Sequence, residues 1–158
     1  PIPTLEPELH RFAPAYQTAL RDKMFSRLDL VTGDFDTDLE FLQALFDWLT
    51  TSQAGWDQFF FDWEAGAPSA SRAAQSPQAA LYADAAFTPI RAGLEARTAT
   101  SVPGELLSQP YFQRPRPCSL LIEELEAIWT PIAERDDWSS FESKLTDIAE
   151  MKQALRLG

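Results

Sequence analysis

The chain has 158 residues, with 13 lysines and arginines against 24 aspartates and glutamates, so its formal net charge at pH 7 is −11. This balance argues against nucleic acid and against an anionic membrane surface as partners, because both are bound mainly through Lys and Arg. No apolar run reaches the roughly 20 residues that cross a bilayer. With 45% hydrophobic residues, among them five Trp and eleven Phe, the chain can form an ordinary core and does not have the composition of a disordered protein.

Cysteine content and the amino-terminal sequence bear on location. The single Cys118 cannot form an intramolecular disulfide, which is typical of an intracellular protein. The start at Pro1 has neither an initiator Met nor the basic and apolar regions of a signal peptide. We therefore expect a cytoplasmic protein that is processed, trimmed or a piece of a longer one.

Apolar residues recur three or four positions apart in the first two segments, which predicts amphipathic helices. The first helix ends at Gly33, and Pro14 is expected in its first turn or at a kink. The second begins with a capping box at Thr37–Glu40, and Asp34, Asp36 and Asp38 favour the positive end of a helix dipole. Its apolar stripe consists of Leu42, Leu45, Phe46 and Leu49.

The middle of the chain contains shorter elements. The aromatic segment Trp56–Trp63 is a buried strand or a buried helix, and helix is favoured because its aspartates suit a central strand poorly. Ser76–Pro77 predicts another helix start, and Pro89 predicts a stop or a kink. Five prolines or glycines between residues 98 and 117 predict a loop.

Two helices are predicted in the last third of the chain. The first has an apolar face and is bent or ended by Pro131; the second follows Asp136–Ser139 and has a capping box at Ser139–Glu142. The apolar face of the first helix is formed by Leu121, Leu125, Ile128, Trp129 and Ile132. The sequence as a whole predicts an all-α fold without a sheet, an irregular bundle of about five to seven helices. We expect one helical unit over residues 1–158, with subregions at about 5–97 and 118–156 joined by the Pro-rich loop at about 98–117.

The residues that could carry chemistry are few. The one histidine, His10, has no Cys, Ser or carboxylate at ligand spacing and is expected to be a surface or capping residue. Cys118 stands near a predicted helix start, where a dipole can lower a thiol pKa, but a role as a small residue at the helix entry is favoured. Asp34, Asp36 and Asp38 lack the glycine of an EF-hand loop and are better explained as charges at a helix start. Phosphate-binding glycine loops are absent from the sequence. We assign no catalytic, cofactor-binding or metal-binding residue.

The densest feature is the group of aromatic residues around the third segment. Large rings usually form a core or a docking surface. The segment holds more of them than a small helical unit obviously needs, which favours a domain interface. Because three consecutive helical positions span about 200°, at least one of the three Phe is expected in the core and at least one at the interface. The candidate interface residues are Trp56, Phe59, Phe60, Phe61 and Trp63.

Several stretches, in order along the chain, resemble SelO-type proteins. Ala15–Leu30 resembles the helix that ends in a Met-x-x-Lys/Arg-Leu-Gly-Leu phrase, and Asp38–Leu49 resembles the next, capped helix. Trp56–Trp63 is similar to the family's Asp-Tyr/Phe-Thr-x-Phe-Phe-Arg phrase. Arg116–Pro117 together with Asp136–Glu142 resembles the closing helix pair.

The chain departs from the family at two of these places. The phrase Asn-Pro-Lys-x-x-Leu-Arg-Asn reads here as Arg116–Glu123, without its basic and amide residues, and Asp62 stands near the place of the aromatic phrase's Arg. The resemblance therefore implies a divergent branch, and roles of the lost residues are not carried over.

The resemblance implies a bacterial, kinase-like protein adenylyltransferase that transfers AMP from ATP to protein hydroxyl groups with a divalent metal such as magnesium. The family's nucleotide-binding, metal-binding and catalytic residues lie in an upstream kinase-like body. This chain would then be the non-catalytic C-terminal helical part, with no cofactor of its own and with the missing N-terminal body, or another protein, as its partner. The alternative is a free-standing all-α interaction module without enzymatic activity.

Overall fold

The computed structural model describes the backbone of residues 2–157 and the side chains of residues 11–157. Regular secondary structure in this range is entirely helical, apart from one isolated β-bridge between Leu30 and Ala99. Three 3₁₀ helices lie at Ala67–Ser69, Ala85–Phe87 and Pro110–Gln113. The α-helices are α1 (Ile2–Arg27), α2 (Phe35–Ser52), α3 (Trp56–Asp62), α4 (Ala70–Ala73), α5 (Ala79–Ala83), α6 (Thr88–Glu95), α7 (Pro103–Leu107), α8 (Ile122–Arg135) and α9 (Ser139–Ala154).

The predicted all-α fold without a sheet is confirmed for the described residues, but the helix count of five to seven is too low. The helices without a predicted counterpart are α4, α6 and α7, of which α4 and α7 have only four and five residues. Helix α5 follows the helix start predicted at Ser76–Pro77. A helix of about one turn cannot display a repeating apolar pattern, so periodicity does not detect it.

Helix α2 begins earlier than predicted. Its N-cap is Asp34, whose side chain accepts hydrogen bonds from the backbone N–H and the hydroxyl of Thr37. Thr37 is therefore already inside the helix, and the predicted capping box does not form. The hydrogen bond from the Thr37 backbone N–H holds the pKa of Asp34 below its usual value.

Three prolines that were predicted to interrupt or begin helices lie within helices. Pro14 lies inside α1 rather than in its first turn, and Pro131 lies inside α8 without ending it. That these two prolines bend their helices stays a prediction. Pro89 belongs to the first turn of α6, where its missing N–H is not needed, so it starts a helix rather than stopping one. The second capping box fails as well: Trp138 is the N-cap of α9 and makes no side-chain cap hydrogen bond, while Asp137 accepts from the backbone N–H of Ser139.

The chain divides into two compact units, residues 1–103 and residues 104–158. Their boundary lies within the segment predicted as a Pro-rich loop, which contains α7 and the last 3₁₀ helix. That residues 1–158 act as a single helical domain stays a prediction.

The first unit has an extensive core. The apolar stripe predicted for α2 faces inward and packs with the C-terminal end of α1, with α3 and with α6. Three rings at its centre, Trp48, Phe59 and Phe87, lie within 4.8–6.4 Å of one another, centroid to centroid. The fully buried side chains include Phe25, Leu28, Leu45, Phe59, Phe87 and Leu94.

The second unit buries much less. Helix α9 packs against α8 and against the 3₁₀ helix Pro110–Gln113. Arg114 holds that 3₁₀ helix to α9 through ion pairs with Asp147, at 2.8 Å, and Glu150, at 2.5 Å. Leu106, Tyr111, Phe112 and Ala154 are its buried apolar residues.

Candidate interaction surfaces

The aromatic segment is buried in the first unit almost completely. Phe59, Phe60, Phe61 and Trp63 expose 5% or less of their surface, whereas Trp56 exposes 44%. We expected at least one of the three consecutive Phe at an interface, because three consecutive helical positions face different directions. In the structure all three side chains are buried. Helix α3 is enclosed on more than one side, so different faces can all be buried.

The packing of the two neighbouring Phe shows how this happens. Phe60 belongs to the main core cluster, and the Arg27 guanidinium lies 4.1 Å from its ring centroid. Phe61 is buried outside that cluster, with the guanidinium of Arg72 4.7 Å from its ring centroid. The Arg72 guanidinium therefore lies over a ring of α3 that is buried outside the main core cluster.

Trp56 is the one candidate interface residue whose side chain is exposed to solvent. Its ring stacks on Phe46 at a centroid distance of 5.4 Å, and Asp57 beside it pairs with Arg27 at 2.7 Å. That the segment contacts another domain stays a prediction, and Trp56 is its exposed candidate residue.

A buried ion pair, which the sequence did not indicate, joins α2 to the end of α6. The Arg97 guanidinium donates to Asp38 at 3.1 Å, and the two side chains expose 10% and 2% of their surface. The other carboxylate oxygen of Asp38 accepts the backbone N–H of Gly33 at 2.8 Å. Arg97 also lies 4.2 Å from the ring centroid of Phe41. Asp38, predicted as a charge for the helix dipole, is thus also a structural ion-pair partner of a residue 59 positions away.

Asp62 has a similar structural role. Its buried carboxylate accepts hydrogen bonds from Gln58 and from the Tyr82 hydroxyl, both at 2.8 Å, and from the Ser76 hydroxyl. Burial next to this carboxylate raises the pKa of Tyr82. The network links α3 to α5, and Asp62 has a structural role in it.

Glu64 is a buried titratable group close to a second carboxylate. It exposes 6% of its surface, and burial together with the nearby charge of Asp29 raises its pKa from 4.5 to about 8. Arg72 and Arg27 act in the opposite direction. Asp29 itself accepts hydrogen bonds from the backbone N–H and the hydroxyl of Ser101, so it is anchored to the bridge region.

The other candidate residues whose side chains the structure describes do not form a common catalytic or metal site. Cys118 lies four residues before α8 begins, and burial raises its thiol pKa, so the activating effect considered from the sequence is not found. The side chain of His10 lies outside the described residues. Among residues whose side chains are described, no group of three His, Cys, Asp or Glu could hold a metal ion.

Cavities occur in both units and are open to the surface. One of about 500 Å³ lies between α2 and α5, with Asp47 and Asp84 among its lining residues. Asp47 accepts a hydrogen bond from Gln43, and Asp84 caps the 3₁₀ helix Ala85–Phe87 through the backbone N–H of Ala86. Both carboxylates therefore have local structural partners within the chain.

The second unit has an exposed apolar surface on α8. Leu121, Ile122 and Leu125 expose 62%, 71% and 45% of their surface, and Trp129 exposes 63%. The sequence predicted that Leu121, Leu125 and Trp129 lie on one face; it gave no indication that the described part of the second unit would leave this face exposed. None of the helices in the described part of the chain is both long and apolar enough to span a membrane.

Comparison with known proteins supplies the family. Residues 1–149 match the family model of the protein adenylyltransferase SelO. No curated protein and no solved structure matches the chain. Because the family match covers well over half of the sequence, the chain belongs to the SelO family of protein adenylyltransferases.

Proposed function

We propose that this chain is the non-catalytic C-terminal helical part of a SelO-like protein that transfers AMP from ATP to protein hydroxyl groups, and that it supports a kinase-like body. The observation that carries the proposal is the family match over residues 1–149, in a chain whose described part is built from helices alone. Kinase-like nucleotide binding uses a Gly-rich loop and a Lys held by strands. The helical elements described here are suited to support such a lobe rather than to form it.

The core of the first unit is the second support for a scaffold role. Its rings and aliphatic side chains are closely packed, and the Asp38–Arg97 pair fixes the segment before α2 to the end of α6. Rigid elements hold a neighbouring site more precisely than loops do.

ATP and magnesium belong to the parent protein in this proposal. The chain contains no Gly-rich phosphate loop. Its described side chains provide no group of three metal ligands. These residues do not fit the nucleotide or the metal, and no catalytic step is assigned to them.

The proposal is tested by measuring AMP transfer from ATP labelled on the α-phosphate, in the presence of magnesium. Three samples are compared: the complete protein encoded by the reading frame, the same protein lacking residues 1–158 of this chain, and this chain alone. We expect incorporation with the complete protein, a lower rate after the deletion, and no incorporation above a boiled control with this chain alone. Incorporation by the chain alone would contradict the proposal.

The same reading frame distinguishes the alternative of a free-standing interaction module. A kinase-like stretch of about 300 residues upstream of Pro1 is what we expect. A start codon close to Pro1 would instead support the free-standing module and would remove the parent enzyme from the account.

A further inference from the structure

Helix α8 has an apolar stripe that no other described element of the second unit covers. Leu121, Ile122, Leu125 and Trp129 are each 45–71% exposed, and α8 has no buried residue at all. With 3.6 residues per turn, these four positions fall within an arc of about 100° on the helix surface. Contiguous apolar surface of this kind commonly marks a binding site.

The contact between α8 and α9 uses a different side of α8. Glu124 forms an ion pair with Lys144 of α9, and Ile128 is half-buried beside a cleft that the two helices line together. Both positions lie to one side of the stripe. The stripe is therefore not the seam by which the helix hairpin is held together.

The opposite margin of the stripe is acidic. Glu126 follows Leu125 by one position, about 100° around the helix, and Glu123 lies further round on the same side. Both are exposed, and among the described residues neither has an ion-pair partner. Glu124 and Glu134, in contrast, pair with Lys144 and Arg135.

The acidic margin of the stripe indicates which kind of partner can bind to it. A second copy of the chain would bring two acidic margins together in a chain of net charge −11, which like-charge repulsion disfavours. We propose that the α8 stripe binds a protein segment whose own apolar stripe is flanked by lysine or arginine. This mode, an amphipathic helix laid against an apolar face, is common in protein recognition. The proposal does not depend on the adenylyltransferase role.

The test uses a synthetic amphipathic helical peptide of leucine and lysine as the probe, titrated into the 158-residue chain by calorimetry. The variant Leu125→Asp places a charge in the centre of the stripe. Its matched control is Thr130→Asp, which adds the same charge to an exposed position of the same helix, off the stripe. We expect Leu125→Asp to weaken binding at least about tenfold and Thr130→Asp, which lies beside Glu126 and Glu123 on the acidic margin, not to weaken it. Circular dichroism verifies that both variants keep their helical content.

The pair of variants separates the proposal from unspecific attraction. General attraction between a basic peptide and an acidic protein would increase in both variants, because each adds a negative charge. Equal binding by wild type and Leu125→Asp would overturn the proposal. So would equally tight binding of a leucine–glutamate peptide, or a dimer of the wild-type chain in sedimentation that Leu125→Asp dissociates.

Discussion

Helices α2 and α8 carry similar apolar stripes but have opposite surroundings. In α2 the stripe is buried against neighbouring helices, with Leu42, Leu45 and Leu49 exposing 2% or less. In α8, Leu125 and Trp129 remain exposed. The same pattern therefore stabilises the fold in one helix and offers a binding surface in the other. The difference lies in what surrounds each helix, because α1 and α6 both pack on α2, whereas within its own unit α8 packs mainly on α9.

The largest effects are expected in the buried aromatic segment. Phe59→Ala, Phe60→Ala and Phe61→Ala should each lower the free energy of unfolding by about 3–5 kcal/mol, because each removes a buried ring and leaves a cavity. Urea unfolding followed by circular dichroism measures the loss. A variant that retains wild-type stability would show that its ring is not packed as the structure has it.

The next-largest loss in the free energy of unfolding is expected at the buried Asp38–Arg97 ion pair. Asp38→Ala leaves Arg97 without its carboxylate and should cost about 3–5 kcal/mol. Asp36→Ala, in the same first turn but exposed, is the control and should cost less than about 1 kcal/mol. Equal losses in the two variants would mean that helix-dipole interaction, rather than the pair with Arg97, accounts for the role of Asp38.

Glu64 should make the stability of the first unit depend on pH. Its pKa is about 8 in the folded chain against 4.5 as the ordinary value, so its protonated form is favoured by folding. The stabilisation is complete below pH 4.5 and is lost as pH rises toward 8, about 3 kcal/mol between pH 5 and pH 8. Urea unfolding of both proteins at pH 5 and pH 8 measures this effect. Between the two pH values the free energy of unfolding should fall by about 3 kcal/mol more in the wild type than in Glu64→Gln. The same pH dependence in both proteins would assign it to other groups.

The smallest stability effect is expected on α8. Trp129→Ala should change the free energy of unfolding by less than about 0.5 kcal/mol, because the ring is already 63% exposed. It should nevertheless weaken binding of the leucine–lysine peptide. A loss comparable to that of Phe59→Ala would show that Trp129 is buried and would remove the contrast between the helices.

Periodicity predicted which residues of α2 and α8 share a face, because a repeat of three or four positions follows directly from helix geometry. It could not predict what covers a face, since this depends on parts of the chain far apart in sequence. The Asp38–Arg97 pair spans 59 residues, and neither residue type has a local pattern that indicates the other. The Asp34 cap was missed for a different reason: Thr37 and Glu40 offered an equally good local signal three residues later.

The most direct test of the contrast is hydroxyl-radical footprinting of tryptophan in the 158-residue chain, read by mass spectrometry. Trp129, which is 63% exposed, should be oxidised much faster than Trp63, which is 1% exposed. Addition of the leucine–lysine peptide should protect Trp129 and leave Trp63 unchanged. Two results would contradict the account of α8 as an uncovered binding face. One is that Trp129 and Trp63 are oxidised at the same rate in the free chain; the other is that the peptide does not protect Trp129.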